Sequence, residues 1–106
     1  MMRRGQHYQT VPRHVEVIEH TGGESLARMT DWVIDLHLSG LIPSQVSFNT
    51  MDDAGQAVGR LHVGPGAESL ITPGGHLVFH PGRRPGPGTL EVVDAERFYR
   101  EFQPLR

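Results

Sequence analysis

Residues 21–40, TGGESLARMTDWVIDLHLSG, limit most strongly what this chain can fold into. Leu26, Met29, Trp32, Val33 and Leu36 recur at helical spacing and form one apolar stripe, with Arg28, Asp31 and Asp35 mostly away from it. Thr21 followed by Glu24 fits a capping box, in which each side chain satisfies a free N–H at the helix start. Gly40 is a natural C-terminal stop. Gly22 and Gly23 would each cost about 1 kcal/mol against alanine if helical. The spacing predicts an amphipathic helix over about residues 23–38. Its stripe must be buried against something, and the rest of the chain offers mainly short strands.

Those strands are legible as β-branched and aromatic runs between turn residues. HVEVIEH (14–20) reads as a strand with Val15 and Val17 on one face. His14, Glu16, Ile18 and His20 share the other, which the charges mark as the exposed one. QVSFNTM (45–51) and AVGRLHV (57–63) flank DDAGQ, whose Asp and Gly favour a tight reversal, so a hairpin is expected. After a break at GPGAE, SLIT (69–72) and HLVFH (76–80) stand on either side of PGG and are expected to pair. TLEVV (89–93) is a last strand. Asp94 is placed to cap a short helix over about 95–102, whose Phe98 and Phe102 share one face. Residues 1–12 are polar and read as an arm. The expected architecture is one domain over 13–106, of class α+β: a mainly antiparallel sheet or half-open barrel packed by one amphipathic helix, with a short C-terminal helix.

Composition narrows function more than it identifies it. The chain has 106 residues, 37% of them hydrophobic, with 13 Gly and 8 Pro, which suits many turns and one small core. All ten basic residues are arginine, a pattern read as codon bias of a GC-rich genome. Without lysine there is no Schiff-base nucleophile and no P-loop lysine. Without cysteine there is no disulfide, thiolate nucleophile or Cys-ligated metal, which fits a cytoplasmic protein. A net charge of −2 gives no global basic field for nucleic acid or an anionic membrane. No apolar run is long enough to span a bilayer. The two arginines near the N-terminus lack the apolar segment of a signal peptide.

Four groups of residues invite chemistry. HPGRRPGPG (80–88) is rich in Gly but leads into a strand rather than a helix and lacks the P-loop signature, so it reads as a connection. Arg83 and Arg84 within it could touch phosphates or a partner, with no aromatic interleaved to stack on bases. The seven histidines include no HExxH or HxH, and residues four apart on a strand lie about 13 Å from each other. A metal site would need different strands, for example His62 with His76 or His80; surface or half-buried histidines are the simpler expectation. They could still change the protein's behaviour between about pH 5 and 8. None of Ser25, Ser39, Ser44, Ser47 and Ser69 lies in a GxSxG elbow, and Asp52 and Asp53 sit on a hairpin turn. RFYREF (97–102) mixes aromatics with Arg97 and Arg100, as interfaces do, although the phenylalanines could simply pack inward.

Three segments together resemble a family of small bacteriophage and prophage proteins. HVEVIEHTGGESLARMTDWV resembles the family's opening strand and helix, and residues 46–82 its middle. Pro73, Gly74, Gly75, His76 and Leu77 stand where the family carries a PGDWI turn. Val93, Asp94, Phe98, Phe102 and Leu105 follow its closing PDIFxxTYxPL pattern. The family's Asp-Trp is Gly75-His76 here, and its GEFYP is replaced by PGRRPGPG, so roles tied to those residues do not carry over. The resemblance implies a phage-encoded accessory protein in the cytoplasm of a host cell.

The leading expectation is a non-enzymatic binding module acting on a host protein, without a cofactor, metal or membrane. Arg83, Arg84, Arg97 and Arg100 are the expected partner-binding residues. Alternatives are nucleic-acid binding through Arg83, Arg84 and the N-terminal Arg3, Arg4 and Arg13, a His-metal enzyme, or a minor virion component. Exposed sheet edges also admit a homodimer.

Overall fold

A computed structural model describes residues 15–82 and 86–102. The arm and its arginines, Arg83, Arg84 and the last four residues lie outside them. In chain order the elements are β1 (Glu16–Glu19), α1 (Gly23–Leu38), β2 (Ser47–Asp53), β3 (Gln56–Gly64), β4 (Ala67–Ile71), β5 (His76–His80), β6 (Thr89–Val93) and α2 (Ala95–Glu101). The fold is α+β. Two antiparallel three-stranded sheets, ordered β1-β5-β6 and β2-β3-β4, stand side by side and do not close into a barrel.

The stripe on α1 does what its spacing requires. Leu26, Met29, Val33 and Leu36 are buried, and they join Ile42, Val46, Leu61, Ile71, Leu77, Phe79 and Leu90 in one core. Burying such a side chain fully is worth about 1.5–3 kcal/mol, so this stripe contributes strongly to holding α1 in place. Trp32 packs at the core's margin, edge-on to Phe79 with ring centroids 6.3 Å apart.

The start of α1 differs from the capping-box expectation. Gly22, not Thr21, is the N-cap, at φ 143°, a backbone conformation that a side chain rarely tolerates. Its glycine penalty as a helical residue therefore does not arise. Ser25, not Glu24, closes the turn: its hydroxyl donates to the Gly22 carbonyl (2.6 Å) and accepts from the Thr21 N–H (2.8 Å). Asp94 does cap α2 as expected, accepting from the Arg97 N–H at 2.8 Å.

The β2–β3 hairpin forms at the expected place. Asp53 faces Gln56 across Ala54 and Gly55, at φ 54° and 81°, the paired positive values of a type I′ turn. Gly59 on β3 has its own reason to be glycine. A Cβ there would lie 2.6 Å from the Phe48 ring, which covers the strand.

Two expectations about pairing are corrected. SLIT does not pair with HLVFH; β4 pairs with β3, and β5 lies between β1 and β6. The PGG turn passes the chain from one sheet to the other instead of closing a hairpin. The inward face of β1 is also the opposite of the one expected. Ile18 packs on the core and His20 is 2% exposed. The reason is that the His20 ring replaces charge with hydrogen bonds: its Nδ1 accepts from the Gly22 N–H (3.2 Å) and its Nε2 donates to the Ala57 carbonyl (2.8 Å). Its backbone is held by Gly74 and Gly75 at 2.9 Å each. His20 thus ties β1, β3 and the head of α1 together, and a buried polar ring with both nitrogens hydrogen-bonded carries little penalty.

Candidate functional site

The two flanks of the molecule are built differently. On the outer face of β1-β5-β6, β5 presents His76, Val78 and His80, and α2 covers them. The Phe98 ring stacks on His76 with centroids 3.8 Å apart and planes 5° from parallel, and Phe102 stacks on Phe98 at 5.1 Å. His80 Nε2 meets Glu91 Oε2 at 2.6 Å. Arg97 reaches Glu91 Oε1 and Glu101 Oε1, each at 3.0 Å. Burial alone pushes the Glu91 carboxyl up, but hydrogen bonds from His80 and Arg97 and their charge outweigh it, so the group titrates below the ordinary glutamate range. Hydrogen bonds to Glu101 and then Glu91 raise Arg97 further above its usual value. One loose end remains inside this flank: His76 is 2% exposed, and its Nδ1 has no hydrogen-bond partner.

Arg97 and Arg100 were expected as partner-binding residues. Both lie on α2, but Arg97 is engaged by two carboxylates of its own chain. Arg100 is exposed and sits 3.7 Å from Glu101. Arg83 and Arg84 lie outside the described residues. Gly88, just before β6, donates to the Leu41 carbonyl at 2.7 Å.

Among the described residues the histidines do not converge. His62 pairs with Glu68 at 3.2 Å on the other sheet, and His37 meets the Val46 carbonyl at 2.6 Å. Expected as surface or half-buried, His20 and His76 are instead buried. No group of three or more metal-ligating side chains with suitable placement occurs among the described residues. Also among them, no helix is long and apolar enough to cross a membrane.

The opposite flank is open. Between the first half of α1 and the β2–β3 hairpin runs a groove of about 600 Å³, lined by Leu26, Ala27, Thr30 and Asp31 on one wall and Thr50, Met51, Asp52 and Ala57 on the other. On a helix, residues three and four apart are neighbours, so Ala27, Thr30, Asp31, Ile34 and Leu38 form a second stripe beside the core stripe. This second stripe extends the groove wall, and its apolar members are uncovered: Ile34 is 50% and Leu38 81% exposed. Leu41 just beyond is also exposed. The α1 C-terminus is fixed against the start of β2 by the His37–Val46 bond, so helix and strand run past each other along the groove's length.

A sequence reading centred on arginines passes over this surface. The available signal was the pair Ile34 and Leu38, two large apolar residues four apart and off the core stripe. Comparison of the chain with protein-family models, with curated proteins and with solved structures returns no match.

Proposed function

We propose that this chain is a small phage-encoded accessory protein that acts as a non-enzymatic binding module on a host protein, and that the groove between α1 and β2 is where the partner docks. The observation that carries the reading is the uncovered second stripe of α1 lying beside the hairpin groove. Isolated exposed apolar residues are ordinary, but a row of them continuing a groove wall is a contact surface. Its polar counterpart is also present, since Thr30, Asp31, Thr50 and Asp52 give the groove orienting groups. Phage provenance is supported by the motif resemblance in the opening helix and the closing Asp94, Phe98 and Phe102. A nucleic-acid role draws less support from this groove, which is lined by the carboxylates of Asp31 and Asp52.

The test is capture from lysate of a GC-rich bacterial host, using the wild type and an Ile34→Glu/Leu38→Glu variant in parallel. A stoichiometric partner retained by the first and lost by the second, with the variant still folded, is the expected result. A partner retained equally by both, or turnover of a small molecule by the purified protein, would overturn it.

A further inference from the structure

The strand wall of the groove is a sheet edge. In a two-residue hairpin the residues flanking the turn form a hydrogen-bonded pair, and pairs alternate from there. Asp53, Met51, Asn49 and Ser47 therefore direct their backbone groups to β3, across from Gln56, Val58, Arg60 and His62. Phe48, Thr50 and Asp52 direct theirs outward, where no described strand receives them. Edges of this kind are usually blunted by a bulge, by proline, by shortness or by charged side chains, and of these β2 carries only charge, Asp52 and Asp53 at its hairpin end. β2 is seven residues long and contains no proline, and the only irregularity in its sheet lies between β3 and β4.

We propose that the β2 edge receives an extended, basic segment of the partner as a fourth strand, whose alternate side chains lie down on the second stripe of α1. This rests on reading the chain as a binding module, and adds how it binds and what chemistry it selects. Strand addition supplies affinity through the outward N–H and C=O groups of Phe48, Thr50 and Asp52, and specificity through alternate side chains. Residues of the added strand opposite these three project to the same side of the sheet as they do, towards Ala27, Thr30 and Ile34. Charge decides which sequence fits. Asp31 and Asp52 line the groove with no cation among its lining residues. Neither they nor Asp35 and Asp53 enter an ion pair among the described residues. A second copy of this chain is the poorer occupant: pairing β2 antiparallel to itself about Thr50 sets Asp52 opposite Phe48 and Asp53 opposite Ser47, and so brings no cation to either carboxylate. Arginine or lysine side chains spaced two apart turn the same carboxylates into partners.

The experiment titrates the ¹⁵N-labelled chain, at low salt, with a blocked peptide of alternating Arg and Val. Expected are amide shifts centred on Phe48, Thr50 and Asp52, and binding weakened roughly tenfold or more by Asp31→Asn/Asp52→Asn. Thr50→Pro removes an outward donor without touching the β3 ladder and should abolish binding. Because that variant could perturb the strand, the same peptide methylated on alternate backbone nitrogens is offered to the wild type, and it should not bind. An alternating Glu-Val peptide should not bind either. Shifts elsewhere, equal binding by the methylated peptide or the acidic peptide, or concentration-dependent dimerisation through the same amides would overturn the proposal. A host partner that is lost in Ile34→Glu/Leu38→Glu but kept by Thr50→Pro and Asp31→Asn/Asp52→Asn would sink strand addition and leave the binding module standing.

Discussion

The two flanks carry the same materials, short strands with a helix laid over them, and arrive at opposite results. On the β1-β5-β6 flank His80, Glu91 and Arg97 are all engaged by the chain itself, and the buried Nδ1 of His76 is the exception. α2 is only seven residues long, too short to hold as a helix alone, and it is kept in place by rings stacked on β5 and by carboxylates around Arg97. On the other flank α1 needs no such help. Its core stripe already anchors it, so its second stripe and the neighbouring strand edge are left free. A strongly buried element can present a surface, whereas a weakly buried one must use its surface to stay attached.

That contrast can be broken first at the anchor. Met29→Ala empties a fully buried site under α1 and should destabilise the protein by about 2–5 kcal/mol, read as a lowered urea midpoint. A loss below 1 kcal/mol would mean that the core stripe is not what holds α1. Next comes Gly59→Ala, which puts a methyl group into the Phe48 ring and should cost about 1–3 kcal/mol by the same measurement. Should stability be unchanged, the ring does not lie over β3 as described.

The closed flank is sharpened by pH. The folded Glu91 carboxyl titrates below its ordinary value of 4.5, so it prefers the ionised form in the folded state. Its stabilising contribution is therefore fully present above about pH 4.5 and is lost as pH falls through the lower folded value. Glu91→Gln should flatten the fall in stability in that acid window and leave the slope above it unchanged. A variant as acid-sensitive as the wild type would remove Glu91 from the network. Smallest is the effect of Ile34→Ser/Leu38→Ser on folding, expected within about 0.5 kcal/mol per site because both side chains are exposed. A large loss would show that the second stripe is covered and not free.

Most local chemistry was legible in the sequence, the cap of α1 excepted, and long-range pairing was not. The α1 stripe, the Asp-Ala-Gly reversal and the Asp94 cap each depend on residues a few positions apart, and each was readable. Which strands a turn joins depends on partners distant in the chain. SLIT and HLVFH flank a turn yet belong to different sheets, because β5 has Glu16–Glu19 and Thr89–Val93 on its two sides. His20 misled for a related reason: a histidine among glutamates reads as exposed until the Ala57 carbonyl, 37 residues away, is known to face it. The site was half legible. Arg97 drew attention by its charge, which turned out to be answered within the chain. Ile34 and Leu38 drew little, since only the packing of α1 reveals that the described residues leave them exposed.

The openness of β2 is tested most directly by amide hydrogen exchange along this one strand, in the free protein and with the Arg-Val peptide. The account predicts fast exchange at Phe48, Thr50 and Asp52 and slow exchange at Asn49 and Met51 in the free protein, with the first three becoming protected on binding. Uniform protection along β2 in the free monomer, or outward amides that stay fast in the complex, would contradict it.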